Sequence, residues 1–357
     1  MNEFFRILKI EKLPVQQNKV YRSQKEAINC PKGEVVLVQD QDTGVVYNSE
    51  FVPELMIYDE NYQNEQGCSV FFKEHLSIVA SIIKKHLGSG RAVEVGCGKG
   101  HFLEYLRSLG CEVVGVDPAY EGEAEYIKKT AFSCELGLSG DLVILRHVLE
   151  HISDPYVFLE TIAEANGRSG LIYIEVPCLD WIAQNQAWFD VFYEHVNYFR
   201  LDNFKNLFGK IIDSGHLFGA QYIYVVAELS SLRKLKNGAG AAFELGSDFM
   251  AGVDRVVQIL AENPAKQVVV WGGASKGVIL AHHVRQKSDR FFSFAIDINP
   301  AKQDGFFPGT GLPVLSPEEG LSRMNDEDII LVMNSNYLSE IKSIAGSRFR
   351  YCIADKI

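Results

Sequence analysis

Hydrophobic and polar positions alternate between two periods along most of this chain. From Val70, VFFKEHLSIVASIIKKHL repeats its apolar residues at helical spacing. Lys84 and Lys85 lie near its end and Gly88 supplies the stop, so a helix is predicted. RAVEVG then reads as a buried strand, GCGKG as a turn, HFLEYLRSLG as a helix ending at Gly110, and CEVVGVD as a second strand. DLVILR is a third strand with a helix-like segment after it, GLIYIEVP is a fourth, and YIYVVAEL is again strand-like. Strands alternating with helices predict βαβ units and a parallel sheet. MAGVDRVVQILAEN carries a helical pattern, and the alternation then restarts. QVVVWG reads as a strand, GGASKG as a glycine-rich turn, VILAHHVRQ as a helix, and FFSFAID and DIILVMN as strands. They predict a second, smaller doubly wound unit from about residue 265 onward. Upstream, KGEVVLVQD and TGVVYN bracket a polar turn at Gln39–Asp42 and predict a hairpin or small sheet. YDENYQNEQG has no period and reads as a loop.

At roughly 150 residues per domain, 357 residues make two to two-and-a-half domains. Lys+Arg is 35 against Asp+Glu 46, a net charge of −11, with no basic block. That balance excludes a general nucleic-acid or membrane-surface binder. Hydrophobic content of 47% with 23% charged residues excludes global disorder. No stretch reaches the ~18 apolar residues of a membrane helix. MNEFFRILKIEKLPV mixes charge into its apolar residues and does not read as a signal peptide, so a cytoplasmic protein is expected. The cysteines (Cys30, Cys68, Cys97, Cys111, Cys134, Cys178, Cys352) are odd in number and form no C-x-x-C. Neither a disulfide framework nor a four-cysteine zinc site fits them.

Three segments carry candidate chemistry. In the first, Glu94 precedes Gly96-Cys97-Gly98-Lys99-Gly100 at a strand-to-helix junction, and Asp117 ends the next strand nineteen residues after Gly98. Glycines let a ligand approach backbone N–H groups, and a carboxylate there can accept from both ribose hydroxyls. The dinucleotide fingerprint would place its third glycine at position 101, which is His101. The E-x-G-x-G-x-G form resembles the S-adenosylmethionine (SAM) loop of class I methyltransferases; a nicotinamide site or a tight turn without ligand are the alternatives. The second segment is Arg146-His147-Val148-Leu149-Glu150-His151. Alone, H-x-x-E-H is the pattern of an inverted zinc protease, and two His at i, i+4 share a helix face. With Ile152-Ser153-Asp154-Pro155 it resembles the loop after the fourth strand of methyltransferases, in which His147 and His151 shape the cofactor and substrate pocket; a structural role for either is the alternative. The third is Phe192-Tyr193-Glu194-His195-Val196-Asn197-Tyr198-Phe199. Its bland reading is an aromatic core stripe, but an adjacent Glu and His are costly to bury without purpose.

Y-E-H-x-x-Y-F after such a core is similar to the sugar C-methyltransferases that act on nucleotide-linked deoxy-4-ketosugars. Gly272-Gly273-Ala274-Ser275-Lys276-Gly277, Asp297-Ile298-Asn299-Pro300-Ala301-Lys302 and Pro308-Gly309-Thr310 resemble that family's C-terminal domain. Tyr58-Asp59-Glu60-Asn61-Tyr62 resembles its pre-core tyrosine loop. The resemblance implies an α/β protein: a degenerate N-terminal module (1–68), a class I methyltransferase Rossmann-like core (69–230) and a smaller Rossmann-like domain (231–357). It implies SAM held by Glu94, Gly96, Cys97, Gly98, Gly100, Asp117 and His147. It makes His195 the base, Glu194 its orienter or a second acid/base, and Tyr62 a donor to an enolate oxygen. His151, Tyr198 and Lys276 would meet a small-molecule acceptor, a nucleotide-linked sugar, in a monomer or homodimer. The family opens with a zinc module of two C-x-x-C pairs. Here Asp40-Gln41-Asp42-Thr43-Gly44 takes the place of the second pair and the first is absent, so no zinc is expected. Other readings are O- or N-methylation, an NAD-dependent sugar-nucleotide oxidoreductase using GGASKG and Asp297, and a non-catalytic scaffold.

Overall fold

A computed structural model describes residues 6–56, 62–63, 67, 69–234, 238 and 242–357. Tyr58–Asn61 of the tyrosine loop, and Cys68, lie outside the described residues. The apolar runs form strands in three sheets. The first sheet uses β1 (Leu8–Pro14), β2 (Lys32–Gln39) and β3 (Val46–Asn48). The second uses β4 (Arg91–Val95), β5 (Glu112–Val116), β6 (Ile127–Lys128), β7 (Leu142–Arg146) and β8 (Leu171–Pro177). A two-residue strand, β9 (Asn197–Tyr198), returns to the first sheet, and β10 (Ile211–Leu217) and β11 (Tyr222–Glu228) complete the second. The third sheet holds β12 (Val268–Trp271), β13 (Ala295–Ile296), β14 (Gly305–Phe306), β15 (Pro313–Leu315), β16 (Ile329–Val332) and β17 (Arg350–Ile353).

The second sheet has the order β10-β11-β8-β7-β4-β5-β6. Strands β4 to β8 run parallel, and β11 enters antiparallel between β8 and β10. This is the expected class I methyltransferase arrangement. Its strands read as continuous apolar runs because helices cover both faces: Val93, Val143 and Ile172 pack one side, Ala92, Leu142 and Ile144 the other. The third sheet, β14-β15-β13-β12-β16-β17, is parallel apart from β14. In both sheets the order reverses beside the first strand of the unit, between β4 and β7 and between β12 and β16. Ligands settle outside the strand ends at such points.

The predicted hairpin forms as β2 and β3, with Leu37 opposite Asn48. Its flanking strands were not legible. Lys12 sits at φ 57 and the register of β1 slips between Ile10 and Leu13, which breaks the alternation. β9 is contributed by the YEHVNYF segment, pairing Tyr198 with Val46. FFSFAID is strand only at Ala295–Ile296. One apolar cluster joins Leu13, Val35 and Leu37 to Trp188, Phe189 and Tyr193, and on to Val278 and Leu280 of the third unit. The N-terminal module thus shares a core with the C-terminal one.

At the turn Asp40–Gly44, Asp40 Oδ1 accepts from Thr43 N–H (2.7 Å), the Thr43 hydroxyl (2.7 Å) and Asp42 N–H (3.2 Å). Gly44 N–H closes the turn on the Asp40 carbonyl (2.9 Å). Side chain and backbone together fold this turn through hydrogen bonds. Asp40→Ala is expected to cost about 1–2 kcal/mol in equilibrium urea unfolding, since it strands several donors at once.

Candidate active site

The first glycine loop leaves β4 with Gly96, Gly98 and Gly100 at φ 76, 56 and 83. A Cβ on Gly96 would stand 2.3 Å from Val148 Cγ2, so backbone and side chain are packed as closely as glycine permits. Gly98 N–H donates to Asp117 Oδ2 (2.8 Å) and Ala119 N–H to Oδ1 (2.7 Å). The two bonds fix the carboxylate and leave each oxygen a lone pair. Gly100 lies beneath the loop: a Cβ there would meet Ile127, and the residue turns the chain into helix His101–Ser108 rather than forming cavity wall. Cys97 is buried at the wall, and burial raises its thiol, which keeps it protonated.

Glu94 is 2% exposed and its Oε2 has no hydrogen-bond partner. Burial pushes its carboxyl up to about 7. Behind it, Glu175 of β8 accepts from Arg146 Nε (3.0 Å) and the Tyr173 hydroxyl (3.2 Å) and meets His75 Nε2 (2.7 Å). Burial opposes its charge, yet Arg146 and the two histidines His147 and His75 hold it well below the usual carboxylate range.

His147 and His151 do not share a helix face. Leu149–His151 is one 3-10 turn and His147 stands at φ 52, so the zinc-protease geometry is absent. Left-handed backbone at a non-glycine residue marks a conformation imposed by its surroundings. The His147 ring lies 4.6 Å from Tyr222, with Nδ1 3.3 Å from Glu150 and Nε2 3.5 Å from Glu175. Burial opposes its charge, but the two carboxylates outweigh it and hold the imidazolium up to about 9. His151 Nδ1 lies 2.8 Å from the Glu194 carbonyl, which can only accept, so Nδ1 carries the proton.

The YEHVNYF segment opens with a turn closed by His195 N–H on the Phe192 carbonyl (3.2 Å). Its side chains leave in different directions. His195 faces the cavity, its ring tilted against Phe192 (4.0 Å between centroids) and 5.0 Å from the His151 ring. Glu194, 1% exposed, turns the other way: it accepts from the N–H groups of Gln17 and Asn18 (3.1 Å for the latter) and from the Tyr62 hydroxyl (2.6 Å). Among the described residues no bond joins Glu194 to His195, which corrects the expectation that one orients the other. Burial and the positive charges of His147 and Lys276 hold His195 well below its ordinary value, so its imidazole is neutral. Tyr198 is also corrected. It is 2% exposed, its hydroxyl is spent on the N–H and C=O of Phe192 (3.2 and 3.1 Å), and it does not reach the cavity.

The cavity holds about 700 Å³ and runs from Gly96 and Asp117, past His147, His151 and His195, to Gly272, Lys276 and Asp297. The second loop repeats the first: Gly273 N–H donates to Asp297 Oδ2 (2.6 Å) and Asn299 N–H to Oδ1 (2.7 Å). Lys276, expected to meet the acceptor, is ion-paired with Asp190 (2.7 Å) beside Gln221 (3.4 Å). Residues 250–348, which contain this loop, match the C-methyltransferase C-terminal domain family, and residues 69–211 match the methyltransferase domain family. The chain belongs to the SAM-dependent C-methyltransferase family. C-methyltransferase NovU of Streptomyces niveus is 26% identical over 288 residues, covering 70% of this chain and 67% of NovU. A ubiquinone biosynthesis O-methyltransferase of Bradyrhizobium diazoefficiens is 30% identical over 108 residues, covering 27% of this chain and 43% of that protein. A SAM dependent methyltransferase structure from Archaeoglobus fulgidus, 20% identical, aligns with 45% of this chain and 100% of its own, at a TM-score of 0.32. The family matches replace the oxidoreductase and scaffold readings. Among the described residues no helix is long and apolar enough to cross a membrane.

The first loop fits SAM: three left-handed glycines open the backbone, Asp117 keeps acceptor capacity, and Glu94 leaves an orphaned buried oxygen beside the cavity. Glu175, Asp190 and Gln221 escaped the sequence reading. Glu175 had a signal, an acid inside the apolar run LIYIEVP; Asp190 and Gln221 had none. A cationic ligand favours ionised Glu94, so SAM binding must expel a proton below about pH 7. Titration calorimetry is expected to show affinity weakening as pH falls through 7, and Glu94→Gln is expected to flatten that dependence and weaken binding.

Proposed function

We propose that this methyltransferase methylates a carbon next to a carbonyl in a nucleotide-linked ketosugar, with His195 as base. The observation that carries the reading is a neutral histidine facing a single cavity flanked by two glycine loops of like design. The similarity to NovU, named a C-methyltransferase, supports carbon as the acceptor atom. Helix Ser275–Lys287 begins at the cavity wall, where a helix N-terminus favours anions such as a sugar nucleotide's phosphates. Glu94, the Gly96–Gly98 backbone and Asp117 are the groups that would hold SAM. When bound, it supplies an electrophilic methyl group on a sulfonium.

The protein's part is to make and hold the carbon nucleophile. His195, already neutral, accepts the proton from the carbon α to the carbonyl. His151, locked with its proton on Nδ1, keeps the Nε2 lone pair to share a proton with its neighbour. Tyr62, at the wall, donates to Glu194, and it reaches a developing oxyanion by turning from that carboxylate. Positioning of the reacting atoms within the cavity supplies the remainder of the acceleration.

His195→Ala is expected to retain SAM binding by calorimetry and to lose methyl transfer by about 10²-fold or more. Proton abstraction is read separately, by exchange of solvent deuterium into the α-carbon of nucleotide-linked ketosugars without methyl transfer. Exchange by the wild type and none by the variant supports the assignment; equal exchange in both removes His195 as base. Because burial depresses His195, the rate should stay level on this group around neutral pH and fall only in acid.

A further inference from the structure

The geometry points to a second use of the same corner of the cavity: Glu150, His151 and His195 form a three-ligand site for a borderline divalent cation such as Zn²⁺, and its occupancy stops methyl transfer. One ligand atom from each of the three lies within 4.8 Å of the others, so closure onto an ion needs only side-chain adjustment. All three residues line the cavity. Imidazole and carboxylate donors suit Zn²⁺ and its neighbours, and three protein ligands leave positions open for water or a competing ligand. A second observation points to the ion. Glu150 is 1% exposed, and neither carboxylate oxygen has a hydrogen-bond partner. His147 Nδ1 lies 3.3 Å from one of those oxygens. Burying a carboxylate without hydrogen bonds is costly, and a cation relieves that cost. His151 is prepared as metal-ligating histidines are: Nδ1–H is held by the Glu194 carbonyl at 2.8 Å, which fixes the ring and leaves Nε2 as donor. His195 makes no hydrogen bond among the described residues that would compete for its lone pair.

The inhibitory half rests on the reading of His195 as base, because one lone pair cannot hold both a metal ion and a proton. The two halves are tested separately. Co²⁺ is titrated into the full chain and followed by its visible d–d bands. One equivalent giving nitrogen/oxygen-type bands, lost in both Glu150→Gln and His151→Gln and kept in His282→Ala, supports the site. Thermal melts confirm that the variants are folded. No bands, bands that survive both substitutions, or a near-ultraviolet thiolate charge-transfer band from the cysteines overturns it. Zn²⁺ is then added to the methyl-transfer assay. Turnover falling by about 10², the worth of a general base, and returning with chelator, supports inhibition. Co²⁺ bound at the site with turnover unchanged overturns the inhibitory half and the base assignment together, while the site itself stands.

Discussion

The active corner of this enzyme depends on one buried carboxylate. Glu194 gives up its hydration and recovers it as backbone N–H bonds from Gln17 and Asn18 and a hydroxyl bond from Tyr62. Charge-assisted bonds of this kind are roughly twice as strong as neutral ones, and the two backbone N–H bonds hold the charge whether or not Tyr62 contributes. The clamp therefore fixes three pieces of chain far apart in sequence. Because Glu194 is committed toward the N-terminal module, the next residue of the turn, His195, is delivered to the cavity. The Glu194 carbonyl fixes the His151 tautomer at the same time. The N-terminal module is held by this clamp, by β9 completing its sheet, and by the apolar cluster it shares with the third unit.

The two doubly wound units use one device twice. In each, a glycine N–H of the loop donates to a carboxylate at the end of the neighbouring strand, and a second N–H two residues beyond that carboxylate pins its other oxygen. A carboxylate so held has a fixed direction and retains acceptor capacity. In the first unit this suits a ribose. In the second, Asp297 and Asn299 line the same cavity. The Lys276–Asp190 pair and the Gln221–Asn334 pair bridge the units at the cavity edge.

Much of this was legible in the chain because parallel strands and their helices carry strong periodic signals. The loop glycines were legible for the same kind of reason: their spacing reports backbone conformation directly. What escaped depended on direction. Glu194 and His195 are neighbours in sequence, and only the turn that separates their side chains shows that they serve different partners. Tyr198 looked like an acceptor contact, but an aromatic hydroxyl next to a catalytic segment is as readily used to satisfy the segment's own backbone. β1 was hidden by a bulge at Lys12, and β9 by its length of two residues. Lys276 was expected to meet the acceptor, while its partner Asp190 lies 86 residues away and leaves no local trace.

The pocket contains histidines of opposite character, and that contrast decides which of them can abstract a proton. His147 lies between Glu150 and Glu175, and those carboxylates outweigh burial and keep it charged up to about 9. A base already protonated at neutral pH accepts nothing, so His147 serves as a fixed positive charge and a donor. For His195, burial and the positive groups around it prevail, and it stays neutral. Its proton affinity is correspondingly low, so on its own it is a reluctant base for a carbon acid. The acceptor must compensate. An α-carbon is acidified by its carbonyl, and more so when a donor stabilises the enolate oxygen as charge develops. In the proposed reaction, Tyr62 and the cationic His147, both at the cavity wall, take that task, and environments pushed apart in this way assign acid and base roles within one site. On this argument a ketone acceptor suits the pocket better than a simple alcohol. A hydroxyl gains nothing from enolate stabilisation and would ask His195 for basicity that its burial has removed.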